Sequence, residues 1–189
     1  MFIQTEPTPN PATLKFIPGR VVMEDGTANF TDAEVAKQSP LAEALFALSG
    51  VTGVFYGGEF ISVTKDDDTD WADLKPQVLG AIMQHYTSGA DLFTADATVA
   101  AGADGVEMED DPADAQVTSA IRELLDQRVR PAVAQDGGDI IYQGFKEGVV
   151  YLHMQGACAG CPSSTMTLKN GIENLLRYYV PEVTEVRPV

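Results

Sequence analysis

A run of small and acidic residues near the middle of the chain limits the size of any single fold that the chain can adopt. Residues 89–112 contain no lysine or arginine and show little hydrophobic periodicity. Structureless loops longer than about 15 residues are uncommon inside compact domains, so this run predicts a linker between two domains. We expect an N-terminal domain over residues 1–88, a flexible acidic linker over 89–112 and a C-terminal domain over 113–189.

The composition and the charge exclude several classes of protein. Hydrophobic residues make up 44% of the chain and charged residues 21%, as in ordinary globular proteins. With 28 acidic and 12 basic residues the net charge is −16, which predicts that neither nucleic acid nor an anionic membrane is a partner. No apolar run approaches the roughly 18 residues of a membrane span. The first ten residues lack the pattern of a signal or transit peptide, so we expect a cytoplasmic location.

The N-terminal half has the sequence pattern of a small α+β sandwich. Ser39 with Pro40, and Asp70 further on, are typical of helix N-termini, and apolar residues follow each at helical spacing. Strand-like runs cover residues 2–5, 13–17, 51–56 and 60–64. The last two runs flank Gly57 and Gly58, which can reach the positive φ of a tight hairpin turn. The predicted order is ββαββα, with the helices on one side of the sheet.

The C-terminal half predicts the order αββαβ. A first amphipathic helix begins behind Asp111 and Pro112, should be kinked at Pro131, and ends at a pair of glycines. A second helix begins at Pro162 and ends before Pro181. Strand-like runs cover residues 140–145, 149–154 and 183–186. Both halves together predict the α+β class, with two small α/β sandwich domains joined by the acidic linker.

Cys158 and Cys161 are the two cysteines of the chain, and only two residues separate them. This spacing is unlike the disulfide framework of a secreted domain and is typical of a redox pair or a metal site. The loop is rich in glycine, which lets it fold back so that both sulfur atoms can face one centre. Cys161 directly precedes the predicted start of a helix, where the partial positive charge of the helix favours a thiolate.

Three interpretations of this pair compete. Inert structural thiols are rarely found in a glycine-rich loop at the start of a helix. A thiol–disulfide oxidoreductase normally carries its motif after an early strand of a parallel βαβ unit, whereas this motif lies near the C-terminus behind a predicted hairpin. Metal binding is the third interpretation, and it includes both a zinc-linked structural dimer and an iron–sulfur cluster.

Ligand counting sharpens the metal interpretation. Zinc sites and cubane iron–sulfur clusters usually take four protein ligands, and the cysteines supply two. We expect His85 and His153 not to be ligands, because a ligating imidazole needs a converging site and a supporting partner. Two copies of the chain related by a twofold axis would supply four thiolates from identical loops. The count favours a cluster shared across a homodimer, with the redox pair and the zinc-linked dimer left as alternatives.

Three motifs, in order along the chain, resemble the Nfu, or NifU C-terminal, domain. They are Arg130-Pro131, the Gln-Asp-Gly-Gly-Asp run at 135–139, and the Gly-Ala-Cys-Ala-Gly-Cys-Pro-Ser-Ser run at 156–164. Residues 4–11, followed by Leu14-Lys15-Phe16 and Asp70-Trp71, resemble the N-terminal domain of two-domain Nfu proteins. Together the resemblance covers nearly the whole chain.

The resemblance implies an iron–sulfur cluster scaffold or carrier rather than an enzyme. Such a protein holds a [4Fe–4S] cluster, sometimes a [2Fe–2S] cluster, between two subunits and passes it to apo-proteins. Cys158 and Cys161 match the cluster-ligating pair of the family. The implied partners are apo iron–sulfur acceptor proteins, an upstream cluster-assembly scaffold and, in the loaded state, a second copy of the chain.

Overall fold

The chain folds into two units, each with its own hydrophobic core. The computed structural model describes residues 1–98, 108–160 and 162–189, and only the backbone of 162–164. The units cover Met1–Ala103 and Asp104–Val189. Both combine helices with a sheet, so the predicted α+β class is confirmed. Among the helices described, none combines the length and apolar character needed to cross a bilayer.

The N-terminal unit is a five-stranded antiparallel sheet packed against helices. Its strands are β1 (Gln4–Pro7), β2 (Thr13–Ile17), β3 (Ala28–Phe30), β4 (Val51–Tyr56) and β5 (Ile61–Lys65), in the spatial order β1-β2-β5-β4-β3. Its helices are α1 (Ala33–Ala36), α2 (Pro40–Phe46) and α3 (Trp71–Ser88). The sequence pattern predicted every element except β3 and α1. These two are three and four residues long, too short to carry a visible period.

The predicted helix starts are confirmed in atomic detail. The Ser39 hydroxyl accepts a hydrogen bond from the Ala42 N–H at 3.3 Å, and α2 begins at the proline that follows. The Asp70 carboxylate accepts from the Ala72 N–H at 2.9 Å at the start of α3. Each cap satisfies a backbone donor that the first turn of a helix leaves free.

The β4–β5 hairpin is confirmed, but the reason predicted for its glycines is wrong. Neither Gly57 nor Gly58 has a positive φ. The Gly57 N–H donates to the Phe60 carbonyl at 2.9 Å, and a Cβ on Gly57 would collide with the Phe60 ring. Close approach of an aromatic side chain, and not a positive φ, therefore favours glycine at position 57.

The C-terminal unit contains a three-stranded sheet and two helical segments. In chain order the elements are α4 (Ala115–Leu124), α5 (Arg130–Gln135), β6 (Gly138–Lys146), β7 (Val149–Gly156), α6 (Pro162–Tyr179) and β8 (Glu185–Pro188). Strands β6 and β7 form the predicted antiparallel hairpin, and β8 pairs in parallel with β7. Ile121, Leu125 and Leu176 from the helical segments share one buried cluster with Ile140 and Leu152 from the sheet.

A π-helical turn lies directly before Pro131, where the sequence predicts a kink in the first helix. Residues Leu125–Val129 form a π-helical turn between α4 and α5, and Pro131 lies in the first turn of α5. Proline has no N–H to donate, and an N–H in the first turn of a helix has no carbonyl acceptor within that helix. The chain therefore passes the proline without breaking the helical path. Gly137, at a φ of 83°, then ends it as predicted.

Both ends of the predicted linker contact their own unit. The Thr94 N–H donates to the Gln38 carbonyl at 2.8 Å, and the Met108 N–H donates to the Gln143 carbonyl at 2.7 Å. The Asp110 carboxylate accepts hydrogen bonds from the Tyr142 hydroxyl at 2.8 Å and the Phe145 N–H at 2.9 Å. The middle of the predicted linker, residues 99–107, lies outside the described residues.

Candidate metal centre

Cys158 lies in the loop between β7 and α6, at the strand-to-helix junction that the sequence predicts. Cys158 is 5% exposed, and its thiol is not part of a disulfide. Cys161, the second predicted ligand, lies outside the described residues. Helix α6 begins at the next position, Pro162.

Backbone hydrogen bonds hold the loop around Cys158 in a tight turn. The Ala159 N–H donates to the Gly156 carbonyl at 3.1 Å, and Gly156 adopts a φ of 63° that a residue with a side chain rarely reaches. The Ala157 N–H donates to the Gly137 carbonyl at 3.1 Å. The Thr165 hydroxyl donates to the Cys158 carbonyl at 3.2 Å. The loop is therefore attached to the start of β6, to the end of β7 and to α6.

Gly138 forms the surface on which the Cys158 sulfur rests. A Cβ built on Gly138 would lie 2.5 Å from the Cys158 Sγ and 2.7 Å from the Gln155 carbonyl oxygen. Its φ is not positive, so the requirement for glycine is one of space rather than of conformation. The sequence alone predicts only that Gly137 and Gly138 end a helix. Because one glycine is enough to end a helix, the second glycine could have indicated a close contact at position 138.

An ion pair joins α5 to β6 across the turn that precedes Gly138. Arg130 donates from Nε and Nη2 to the two carboxylate oxygens of Asp139, at 2.9 Å each, and from Nη1 to Asp126 at 3.1 Å. Asp139 is 4% exposed and also accepts from the Ile140 N–H at 2.8 Å. The hydrogen bonds with Asp139 are the main cause that raises the pKa of Arg130 above its ordinary value. A bidentate pair of this kind fixes orientation as well as distance.

Burial moves the pKa of the Cys158 thiol further above neutral pH. Desolvation, with smaller effects from the Asp136 and Asp139 carboxylates, raises the pKa of this thiol from 9.0 to about 12. The thiolate expected from the helix N-terminus concerned Cys161, which lies outside the described residues. At Cys158 the surroundings are acidic and apolar, so its sulfur becomes an anion only when something replaces the proton.

Neither histidine converges with Cys158 on a metal-ligand cluster. His153 Nδ1 lies 2.9 Å from the Val189 carbonyl oxygen, and His85 lies on α3 in the N-terminal unit. Within residues 1–98, 108–160 and 162–189, no group of three or more His, Cys, Asp and Glu side chains is arranged to hold a metal ion. The described part of the site thus offers one soft sulfur ligand, with a second cysteine nearby in sequence.

Sequence comparison identifies both units. Residues 3–89 match the family model described as "Scaffold protein Nfu/NifU N terminal", and residues 121–187 match the "NifU-like domain". The chain is 49% identical over 190 residues to the human "NFU1 iron-sulfur cluster scaffold homolog, mitochondrial", covering 100% of this chain and 72% of that protein. This chain belongs to the Nfu/NifU scaffold family. The resemblance seen in its motifs is thereby confirmed.

Plant members of the Nfu/NifU family are equally similar. The chain is 52% identical to "NifU-like protein 5, mitochondrial" of Arabidopsis thaliana over 188 residues, which is 98% of this chain and 67% of the relative. It is 51% identical to "NifU-like protein 4, mitochondrial" of the same plant over 188 residues, which is 98% of this chain and 65% of the relative. The chain thus spans about two thirds of the length of these plant relatives.

The predicted cytoplasmic location is wrong by this comparison. The human and both Arabidopsis relatives are named mitochondrial. The prediction depended on the absence of a targeting pattern in the first residues. A targeting segment lies outside the folded domains and is removed after import, so the residues that form the fold carry no record of it.

Proposed function

We propose that this Nfu-family chain is a non-enzymatic scaffold or carrier that holds a [4Fe–4S] cluster through Cys158 and Cys161. A homodimer shares the cluster, receives it from an upstream assembly scaffold and delivers it to apo-proteins. One observation carries the proposal. The Cys158 sulfur rests on Gly138 in a loop fixed by three backbone and side-chain hydrogen bonds, and a second cysteine follows two residues later.

The donor set supports iron–sulfur cargo shared by two chains. A cubane cluster takes four thiolates, and each chain offers two cysteines. Within the described residues no histidine or carboxylate cluster completes a four-ligand site. A twofold axis next to the loop would supply the remaining two thiolates. The printed name of the human relative, an iron–sulfur cluster scaffold homolog, agrees with this cargo.

The buried thiol suits cargo that must be released. When the cluster enters, the Cys158 proton leaves to solvent and iron takes its place on sulfur. When a cysteine of the acceptor displaces Cys158, the sulfur recovers a proton, which its raised pKa favours. Burial thus makes the cluster-free loop a stable state and favours handing the cluster on.

The same pKa argues against Cys158 as the attacking residue of the thiol–disulfide alternative. Disulfide exchange begins with attack by a thiolate, and efficient redox motifs lower the pKa of their attacking cysteine. The pKa of Cys158 is instead raised to about 12. The zinc-linked dimer uses the same sulfurs, and metal analysis separates it from an iron–sulfur scaffold.

Anaerobic reconstitution with iron and sulfide tests the proposal. The wild-type chain is compared with Cys158→Ser, Cys161→Ser and, as a control in the same loop, Ala159→Ser. Visible spectra, iron and zinc content, and sedimentation are measured on the same fractions. We expect about four iron atoms per two chains for the wild type and the control, with loading and dimerisation linked.

Four results would contradict the proposal. The first three are a full cluster in either cysteine variant, preferential uptake of zinc, and a monomer that carries a complete cluster without added thiol. Because a cluster bound only by the dimer must stabilise that dimer, a loaded protein with the same association constant as the apo-protein also contradicts the shared site.

A further inference from the structure

Exposed positions along the first turns of α6 carry residues that form helices poorly. Thr167, Asn170 and Asn174 are all exposed, and each has a lower helix propensity than Gln, Glu, Lys or Ala. On α4 of the same unit, the exposed positions include the good helix formers Gln116 and Glu123. Core packing does not choose the residue at an exposed position, so a run of poor helix formers indicates another requirement on this surface.

The same side of α6 carries no charge, although the net charge of the chain is −16. From residue 165 to residue 176, no exposed position holds an acidic or basic residue. The charged side chains of these turns reach towards β8 instead. Lys169 Nζ lies 3.9 Å from a carboxylate oxygen of Glu185, and the Glu173 carboxylate accepts a hydrogen bond from the Val186 N–H at 3.1 Å. We define the neutral face of α6 as the exposed residues Met166, Thr167, Asn170 and Asn174.

The neutral face begins at the cysteine loop. The Thr165 hydroxyl donates to the Cys158 carbonyl at 3.2 Å, and Met166, the next residue, is 66% exposed. The first exposed charge along α6 is Arg177, which lies about 22 Å from Pro162 at a rise of 1.5 Å per residue. An uncharged surface therefore extends from the loop of the candidate ligand along about three turns of the helix.

We propose that the neutral face of α6 is the surface through which two copies of this chain meet when they share a cluster. This inference rests on the proposed scaffold function, in which the site at Cys158 is incomplete without a second copy. A twofold axis beside the cysteine loop passes close to the start of α6, so residues near the axis face the same surface of the other copy. A charge there would meet an identical charge, and a neutral face avoids this repulsion.

Charges placed on the neutral face test whether it pairs with itself. Asn170→Glu and Asn170→Lys each put like charges on the two copies, and we expect the dissociation constant of the loaded dimer to rise about tenfold for either variant at low salt. An equimolar mixture of the two variants, reconstituted together, places opposite charges across the interface and should restore wild-type association. Salt at about 0.5 M should shrink these differences, because it screens exposed charges.

The test uses the full chain, with Gln116→Glu and Gln116→Lys as matched controls on the exposed side of α4. Sedimentation of the reconstituted proteins under anaerobic conditions gives the dissociation constant, and circular dichroism gives the Tm of each apo-protein. Glu and Lys form helices better than Asn, so we expect the Asn170 variants to keep at least the wild-type apo-protein Tm. We expect both Gln116 variants to associate like the wild type.

The outcomes separate this inference from the proposed function. A wild type that takes up no cluster, or that carries a complete cluster as a monomer, overturns both. A wild type that loads as a dimer, together with Asn170 variants that associate equally well, overturns only the role of the neutral face. An equal loss of association in the Gln116 variants, a mixture as weak as its two components, or a lower apo-protein Tm in both Asn170 variants also overturns that role alone.

Discussion

Arg130 and Asp139 are joined by two parallel hydrogen bonds of 2.9 Å each, and these bonds bridge the turn that leads into Gly138, the first residue of β6. The helix before the turn and the strand after it are thereby held in one orientation. Since the Cys158 sulfur rests on Gly138, the ion pair also holds the surface beneath the candidate ligand. Arg130 and Asp139, which are not candidate ligands, thus help to set the position of the Cys158 sulfur.

Removing the buried half of this ion pair should destabilise the C-terminal unit. Asp139→Asn abolishes the bidentate contact, and we expect the free energy of unfolding of the apo-protein to fall by about 1–3 kcal/mol. Urea denaturation followed by circular dichroism measures it. Asp126 is the other partner of Arg130, and the Asp126 side chain is 61% exposed. Asp126→Asn should therefore lower the free energy of unfolding by less than about 0.5 kcal/mol. Equal losses in the two variants would contradict the role given to Asp139.

Adding one methyl group at Gly138 should disturb the cysteine loop. The new Cβ would lie 2.5 Å from the Cys158 Sγ, so Gly138→Ala should destabilise the apo-protein by about 1–3 kcal/mol and reduce cluster loading. Gly171→Ala is the control, because a Cβ there meets nothing within 4 Å inside α6. That change should raise stability by about 0.5–1 kcal/mol. Thermal unfolding and the iron content after reconstitution test both variants. A Gly138→Ala variant that matches the wild type in both measurements would contradict the contact between Gly138 and the Cys158 sulfur.

The raised pKa of Cys158 should make the apo-protein sensitive to alkaline pH. Burial raises the pKa of the thiol from 9.0 in the unfolded chain to about 12 in the folded one, so the unfolded chain loses its proton first as the pH rises. The contribution of Cys158 to stability is therefore complete below pH 9 and is lost between about pH 9 and 12. We expect the stability of the wild type relative to Cys158→Ala to decline over this window. The other titrating groups are common to both chains, so a pH-independent difference would contradict the prediction.

Limited proteolysis should separate the two units within residues 89–112. This prediction follows from the small and acidic composition of the segment, and both cysteines lie beyond it. We expect mass spectrometry to find a C-terminal fragment that still acquires iron and sulfide. Early cleavage inside α3 or α4 in place of this segment, or a fragment that binds no iron, would count against independent units.

Local chemistry explains what could be predicted from sequence. Ser39 and Asp70 cap helices because a side-chain oxygen beside a first turn satisfies a backbone donor whatever the rest of the fold does. Strands β2 and β4 have the predicted bounds, since their strand-like runs are bounded by turn-forming residues. Local rules failed at Gly57, where the nearby Phe60 ring and not the backbone angle favours glycine.

The sequence by itself determined the α+β class, the helix caps and the position of Cys158 between a strand and a helix, because these depend on residues only a few positions apart. The tertiary structure decided which groups surround the sulfur. Gly138, Asp139 and Gln155 meet near Cys158 only because β6 and β7 pair in one register. The burial that raises the pKa of the thiol likewise arises from the packed core, and no local pattern encodes it.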